Sequence, residues 1–205
     1  ARENDSGKNE MWLVLEAGPD AYLYAGFNRG VTREEVRRRV QDGTIEEILN
    51  KIPTRAGDIV YIPAGTVHAI GAGNLILEVQ QSSNATYRLY DYNRRGADGN
   101  LRPLHLSKAL DVLDYSQFAP SKSADERTAQ CPYFGVSWHT VAGSLTLPVA
   151  DGGFASVVCV QGEGSLARGG RQTPLRRGDS LYLPAGGEPV QIRGSLQLIV
   201  TKAAQ

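Results

Sequence analysis

Two stretches of this chain repeat the same strand and turn, and this repeat constrains the fold more than any other feature. Residues 57–70 read GDIVYIPAGTVHAI, and residues 178–192 read GDSLYLPAGGEPVQI. In both copies a Gly-Asp pair precedes a short apolar strand that ends in Pro-Ala-Gly. Proline fixes φ and glycine permits a positive φ, so the chain turns sharply there. The repeat therefore predicts two related β units, one in each half of the chain.

Only the first copy carries a histidine. His68 follows the turn glycine by three positions, whereas the second copy reads Gly187-Glu188-Pro189 in the same region. A residue at that spacing can point back into a small barrel, where a polar ring must be satisfied by a hydrogen bond or a metal ion. The sequence alone leaves both roles open for His68, and it predicts that the second copy keeps the scaffold without the site.

Composition favours a mainly β protein and removes several function classes. The 205 residues include 23 glycines, with 41% hydrophobic and 21% charged residues, which suits two small β domains built from short strands. The net charge is zero, so we expect no nucleic acid and no anionic membrane as partner. Only Cys131 and Cys159 occur, too few for a disulfide framework, which predicts a reducing, cytoplasmic location.

The pattern along the chain predicts a first β domain over residues 1–115, a linker over 116–130 and a second β domain over 131–205. The first domain carries a helical insertion at about 32–52, where Thr32 and Glu35 have the spacing of a capping box. A second short helix is predicted at 104–113. The strands predicted in the first domain are 11–16, 21–27, 58–63, 75–80 and 86–92. Those predicted in the second domain are 133–141, 143–149, 154–162, 164–169, 179–185, 190–194 and 196–202.

Four blocks in the first domain resemble type I mannose-6-phosphate isomerase, in the short bacterial form of the cupin superfamily. The blocks are GKNEMWLVLEA, YIPAGTVHAI, LEVQQSSNATYRLYDYNR and LRPLHLSKALDVL. They occur in order and cover about residues 7–115. The β-rich region 130–205 resembles the family's second cupin domain, with less specific motifs. The resemblance implies a fold of two cupin-like β-barrel or jelly-roll units.

The resemblance also implies a metal site. The family binds one Zn²⁺ through Gln, His, Glu and a second His; Glu10 matches the glutamate and His68 matches the second histidine. The other two ligands belong to a Gln-x-His-Pro strand that would lie upstream of residue 1, so the chain is expected to be an N-terminally truncated member. Two protein ligands alone form a weak site, because catalytic zinc usually has three or more.

Further residues take expected roles from the same resemblance. Lys8 matches a lysine two residues before the glutamate ligand. Arg88 matches an arginine beside the substrate, where a fixed charge suits an enediolate or a phosphate. Glu78 matches an acidic residue near the sugar and is a candidate for proton transfer. His105 lies in the fourth block without an assigned role.

The implied activity is the interconversion of mannose 6-phosphate and fructose 6-phosphate. Moving a proton between C1 and C2 builds charge on two oxygens, and zinc can stabilise that charge as a Lewis acid. The expected partner is a small sugar phosphate, and exposed β edges favour self-association. The main alternative is a non-catalytic sugar-binding or regulatory cupin. A metal-dependent oxygenase is disfavoured, because iron sites want several converging histidines and only three histidines occur.

Overall fold

The computed structural model describes residues 7–92, 94–120, 128–149 and 152–203. The chain divides into two compact units, Ala1–Lys122 and Ser123–Gln205. Strands predominate in both, which confirms the prediction of a mainly β protein. Among the described residues, no helix is both long enough and apolar enough to cross a membrane.

The first unit contains two three-stranded antiparallel sheets. One sheet has the order β4-β1-β6 and the other has the order β3-β2-β5. The strands are β1 (Glu10–Ala17), β2 (Tyr22–Phe27), β3 (Leu49–Pro53), β4 (Ile59–Ile62), β5 (His68–Ile70) and β6 (Asn74–Gln80). β1 and β2 are the central strands, so both of their edges are paired.

A buried apolar cluster joins residues from the two sheets. Its members come from β1, β2, β3 and β4 and are Trp12, Leu23, Ala25, Ile52, Val60 and Ile62. Because side chains alternate along a strand, each sheet contributes one face to this core. The described strands form two sheets of jelly-roll type and do not close into a barrel, so the jelly-roll form of the expected fold is confirmed for this unit.

The insertion begins as predicted and ends earlier. Helix α1 spans Arg33–Asp42, and the Thr32 hydroxyl accepts a hydrogen bond from the Glu35 backbone N–H at 3.2 Å. A one-turn 3₁₀ helix follows at Ile45–Ile48. The prediction of helix up to residue 52 is wrong, because Ile52 lies in β3 and pairs with Leu23. Pairing with the sheet overrides the helical spacing of these apolar residues.

Helix α2 spans Leu106–Val112 and confirms the predicted helix at 104–113. The strand predicted at 86–92 is wrong, because this segment has no regular secondary structure. Its apolar side chains, among them Tyr87, Leu89 and Tyr90, pack with residues of α1 and α2. The alternating apolar side chains of this segment thus pack against helices. None of the described strands pairs with the segment.

The second unit is a six-stranded antiparallel sheet with the order β10-β9-β12-β8-β7, and β11 also pairs with β9. Its strands are β7 (Thr128–Gln130), β8 (Phe134–Leu147), β9 (Ala155–Arg168), β10 (Arg171–Arg176), β11 (Ser180–Leu183) and β12 (Val190–Ala203). β7 occupies the last three residues of the predicted linker, so the second β unit begins before residue 131. Linker residues 121–127 lie outside the described residues. The sequence analysis did not predict β10.

The second unit contains three long strands, β8, β9 and β12, of 14 residues each. The sequence analysis predicted each of them as two shorter strands. Glycines near the predicted strand breaks instead face one another in the ladder. Gly194 pairs with both Gly143 and Gly164. A Cβ atom at Gly194 would lie 2.5 Å from the Glu163 carbonyl oxygen. Glycine is therefore required here for close backbone approach and does not end the strand.

Candidate functional site

Glu10 is a buried carboxylate at the start of β1. It pairs with Ile62 on one side and Gln80 on the other, and the residue is only 1% exposed. Two positions on, Trp12 lies on the same face of the strand and belongs to the core between the sheets. The strand thus carries a charged group into an apolar interior, where a charge needs compensation.

The two carboxylate oxygens of Glu10 have different surroundings. Trp12 Nε1 donates a hydrogen bond of 3.0 Å to Oε2. Lys8 Nζ lies 2.9 Å from Oε1, but Oε1 accepts no hydrogen bond from any described residue. Oε1 is therefore a buried oxygen held only by an ion pair, and a buried polar atom without a hydrogen bond calls for an explanation such as a catalytic role or a bound ion.

His68 begins β5, directly after the Pro-Ala-Gly turn. Gly65 in that turn has φ of +88°, and a Cβ atom there would lie 2.9 Å from the Val112 carbonyl oxygen. The imidazole Nδ1 lies 2.8 Å from the Thr66 carbonyl oxygen. Because a carbonyl can only accept, Nδ1 carries the proton and Nε2 of the neutral ring presents a lone pair. This is the tautomer that a metal-binding histidine adopts when its other nitrogen is hydrogen-bonded.

The structure brings these two predicted residues together. His68 Nε2 lies 3.8 Å from Glu10 Oε1. The Trp12 ring meets the imidazole edge-on, with 5.2 Å between ring centroids and 84° between planes. Trp12 therefore contacts both groups and fixes their relative position, a role that the sequence analysis did not assign to it.

The pair fits two ligands of one metal ion. Zinc holds nitrogen and oxygen ligands at about 2.0–2.2 Å, so two of its ligands lie about 3–4 Å apart. His68 Nε2 and Glu10 Oε1 meet that requirement, because an imidazole nitrogen and a carboxylate oxygen are zinc ligands and the two atoms are 3.8 Å apart. Within the described residues, however, no group of three or more His, Cys, Asp or Glu side chains could hold a metal ion. The described residues thus supply two ligands and no complete set.

Lys8 and Glu78 lie beside this pair. Lys8 Nζ donates a 2.5 Å hydrogen bond to Gln80 Oε1 and lies 3.9 Å from Glu78 Oε1. Glu78 and Gln80 occupy alternate positions of β6, on the face that they share with Glu10. The Glu78 side chain is 36% exposed. The sequence analysis missed Gln80, although its position two residues after Glu78 places both on one face.

Arg88 is fixed by backbone contacts from the segment before α2. Its Nη1 donates to the Pro103 carbonyl at 3.0 Å, and its backbone N–H donates to His105 Nδ1 at 3.0 Å. The His105 backbone N–H donates back to the Arg88 carbonyl at 2.8 Å. His105 thus holds the backbone of Arg88 in place.

One cavity of about 1300 Å³ in the first unit connects these groups. Its lining includes Lys8, Glu10, His68 and Arg88, but Glu78 is not part of it. Five tyrosines also line it, and the sequence analysis did not single them out: Tyr22, Tyr24, Tyr87, Tyr90 and Tyr92. The alternation of the first two on β2 is a signal that could have placed them on one face.

Two of these tyrosines remain protonated well above neutral pH. Burial, followed by the charge of the Glu46 carboxylate and a hydrogen bond to it, raises the pKa of Tyr24 to about 12. The same causes raise the pKa of Tyr92 to about 12. Both phenols are therefore neutral hydrogen-bond donors at physiological pH.

Two β units, the first with Glu10 and His68 in its cavity wall, fit a cupin-type protein. Comparisons with known proteins show what the chain resembles. Residues 125–203 match the family model described as the cupin domain of mannose-6-phosphate isomerase. The chain is 34% identical over 204 residues to the mannose-6-phosphate isomerase ManA of Bacillus subtilis, covering 95% of this chain and 64% of that protein. It is 36% identical over 207 residues to the mannose-6-phosphate isomerase of Streptococcus mutans, covering 97% and 65% respectively.

The structural comparison agrees. The crystal structure of the mannose 6-phosphate isomerase from Bacillus subtilis superposes with a TM-score of 0.84 at 29% identity, covering 98% of this chain and 66% of that chain. Over nearly its whole length the chain is thus similar to mannose-6-phosphate isomerases. It spans 64–65% of the length of the two curated relatives described above.

Proposed function

We propose that this chain carries the site at which mannose 6-phosphate and fructose 6-phosphate are interconverted, with Glu10 and His68 as two ligands of a zinc ion. The observation that carries the proposal is the buried Glu10 Oε1, which has no hydrogen bond from the described residues and lies 3.8 Å from Nε2 of His68. The two curated relatives described above are named mannose-6-phosphate isomerase, which supports this reaction. No observation on the described residues favours a non-catalytic sugar-binding module.

A bound zinc ion would act as a Lewis acid on the sugar oxygens, which become negative as the proton moves between C1 and C2. Trp12 holds Glu10 Oε2, and Thr66 holds His68 Nδ1, so both ligands are oriented before metal arrives. The cavity wall of apolar and tyrosine side chains limits water around the reacting oxygens, which strengthens electrostatic interactions there.

The remaining predicted residues take the following proposed roles. Arg88 offers a permanent positive charge in the cavity to the developing enediolate. Lys8 lies beside Glu10 and can donate a proton or a hydrogen bond to a sugar oxygen. Glu78 is the proposed proton-transfer carboxylate, because it shares a strand face with Gln80 beside Lys8. The variant Glu78→Gln is expected to lower kcat with little change in KM.

Isomerase activity measured with and without zinc tests the proposal. His68→Gln is expected to reduce kcat/KM at least about 100-fold, since even the outer partners of metal ligands are worth 10–100-fold. The matched control is His139→Gln, which alters a histidine of the second unit that does not line the cavity. Equal activity in the two variants, or activity that resists zinc removal by a chelator, would contradict the proposal.

Three broader assignments belong to the same proposal. We propose that the two compact units are two domains, of which the first holds the site. A cytoplasmic location is supported by Cys131 and Cys159, which are both free thiols. Self-association is proposed through β6, an edge strand of its sheet among the described strands. Cell fractionation and light scattering test the last two.

A further inference from the structure

The second unit repeats the backbone of the first around its own Pro-Ala-Gly turn. Gly57 and Gly178 stand at the same place in the repeat, and their φ values are +95° and +94°. Their backbone N–H groups donate to the Val14 and Cys159 carbonyls, at 2.8 Å in both units. The two units can therefore be compared position by position.

This comparison shows apolar residues at the positions of both candidate metal ligands. Ala155 takes the place of Glu10, because each pairs with the last residue of the strand before the turn. Pro189 takes the place of His68, five residues after the turn proline in both copies. Neither an alanine nor a proline side chain can bind a metal ion, so a ligand of the second unit must be bound by other residues.

An arginine stands where the first unit has an alanine. Leu23 and Leu166 correspond, because each is buried and each pairs with the residue eleven positions before the turn proline. Two residues further along, on the same face of the strand, come Ala25 and Arg168. Ala25 belongs to the core of the first unit and pairs with His68. Arg168 therefore brings a permanent positive charge to the place that lies beside the imidazole in the first unit.

The turn fixes the Arg168 guanidinium without using all of its donors. Nε donates to the Glu188 carbonyl and Nη1 donates to the Pro184 carbonyl, each at 3.0 Å. A guanidinium has five N–H donors, so both donors of Nη2 remain. A Cβ atom at Gly187 would lie 3.0 Å from Nη2. Glycine at this position thus leaves Nη2 uncovered.

A second arginine lies directly opposite Arg168. Arg171 is its partner in the ladder between β9 and β10, so the two side chains are neighbours on one face of the sheet and their like charges repel. Neither guanidinium forms an ion pair with a described residue. An anion that binds both arginines would remove this repulsion.

Both arginines line a cavity of about 530 Å³ in the second unit. Thr173 also lines it, on the same strand face as Arg171, and its hydroxyl makes no hydrogen bond with the described residues. Leu166 adds apolar surface, and Glu188 is the acidic residue of the described lining. The cavity therefore combines a net positive charge with unused donors on three side chains.

The corresponding region of the first unit is covered, whereas this cavity is open. Gly26 and Gly169 follow Ala25 and Arg168, and their φ values are +65° and +56°. A Cβ atom at Gly26 would overlap the Phe118 side chain, which packs on the core of the first unit. A Cβ atom at Gly169 would meet no described atom within 4 Å. A small molecule can therefore reach the arginines of the second unit.

We propose that this cavity binds the phosphate group of a small molecule through Arg168, Arg171 and the Thr173 hydroxyl. Guanidinium groups bind phosphate oxygens with paired, charge-assisted hydrogen bonds. A phosphate ester offers three acceptor oxygens, one for each of the three donor side chains. The second unit thus uses guanidinium groups as its cations, where the first unit is proposed to use a metal ion. The site contains no residue of the first unit, so it does not depend on the proposed isomerase function.

Backbone amide NMR of the isotope-labelled chain tests this site separately from the cavity of the first unit. The chain is titrated with inorganic phosphate and with glycerol 3-phosphate, and sodium chloride at the same ionic strength serves as the reference. Amide signals of residues 169–171 and 186–188 are expected to shift and to saturate with either phosphate compound.

Arg171→Ala is the principal variant, because the Arg171 side chain makes no hydrogen bond with the described residues and the fold should tolerate its loss. It should weaken phosphate binding at these amides about 10-fold to 100-fold, the usual worth of a hydrogen bond between charged groups. Thr173→Val should weaken it about twofold to tenfold, as for a neutral hydrogen bond. The matched control is Arg176→Ala, which removes the same charge from β10 at a side chain that does not line the cavity; its affinity should stay within about twofold.

The two phosphate compounds distinguish the source of the phosphate group. Tighter binding of glycerol 3-phosphate would indicate a phosphate ester as the ligand, and equal binding would indicate free phosphate; both results support the site. The inference is overturned if these amides do not shift, or if sodium chloride shifts them equally. It is also overturned if Arg171→Ala keeps full affinity, or if Arg176→Ala loses as much.

Discussion

Replacing Glu10 by glutamine should lower the zinc affinity sharply without lowering the free energy of unfolding of the metal-free protein. In the metal-free protein, Oε1 is buried without a hydrogen bond, and leaving a buried acceptor unsatisfied costs about 1–3 kcal/mol. The ion pair with Lys8 at 2.9 Å offsets part of this cost. In Glu10→Gln the amide oxygen can keep the hydrogen bond from Trp12, and the amide N–H₂ can donate to His68 Nε2, 3.8 Å from the present Oε1.

The free energy of unfolding of metal-free Glu10→Gln is therefore expected to be unchanged or up to about 2 kcal/mol higher. The desolvation cost of a buried carboxylate is removed, while Lys8 keeps its hydrogen bond to Gln80 and the nearby carboxylate of Glu78. Its zinc affinity should fall by more than about 100-fold, since an anionic ligand has become a neutral amide. Urea unfolding in the presence of a chelator measures the first quantity. Zinc titration against a competing indicator measures the second.

Glu16→Gln is the matched control, because Glu16 is an exposed carboxylate on the same strand. It should alter neither quantity appreciably. The reasoning is refuted if Glu10→Gln destabilises the metal-free protein by more than about 1 kcal/mol, which would make the carboxylate a structural element. It is equally refuted if Glu10→Gln binds zinc as tightly as the control.

Three further predictions address the surrounding structure. Asn50→Ala should lower the free energy of unfolding by about 1–3 kcal/mol in urea denaturation, because Asn50 Nδ2 donates to three backbone carbonyls at 2.8–3.0 Å. Burial, and then the Glu46 carboxylate, raises the pKa of Tyr24 to about 12. The unfolded chain therefore loses this proton at lower pH than the folded protein, and the free energy of unfolding should fall as pH rises from 10 towards 12. Tyr24→Phe should reduce this pH dependence. Burial, and then the charge of Lys202, lowers the pKa of His139. The unfolded chain therefore binds a proton at higher pH than the folded protein, and the free energy of unfolding of the second unit should fall as pH drops below about 6.5. His139→Gln should remove that dependence.

The sequence could predict the local setting of each of the two site residues, because the relevant signals are local. The Pro-Ala-Gly turn and the histidine three positions later placed His68 at the start of a strand, and the block around Glu10 placed the carboxylate on another. Their separation of 3.8 Å depends on two different sheets packing on one core. That long-range fact entered only through a resemblance to a family.

The sequence could not predict features that depend on distant contacts. The segment at 86–92 has the alternation of a strand, yet the backbone of Arg88 is bonded to His105 and the apolar side chains pack on helices. The sequence analysis divided β12 after Gly194, but the role of this glycine is visible only once three strands lie side by side. Arg94 and Arg102 likewise approach the Asp91 carboxylate from different positions of one loop, and no periodicity in the sequence indicates this contact.

Crystals of the chain loaded with one equivalent of zinc, measured at the zinc absorption edge, test the central claim most directly. The account predicts an anomalous peak within about 2.0–2.2 Å of both Glu10 Oε1 and His68 Nε2, with Lys8 displaced from the carboxylate. A zinc peak bound elsewhere, or a site that leaves either atom outside its coordination distance, would contradict it.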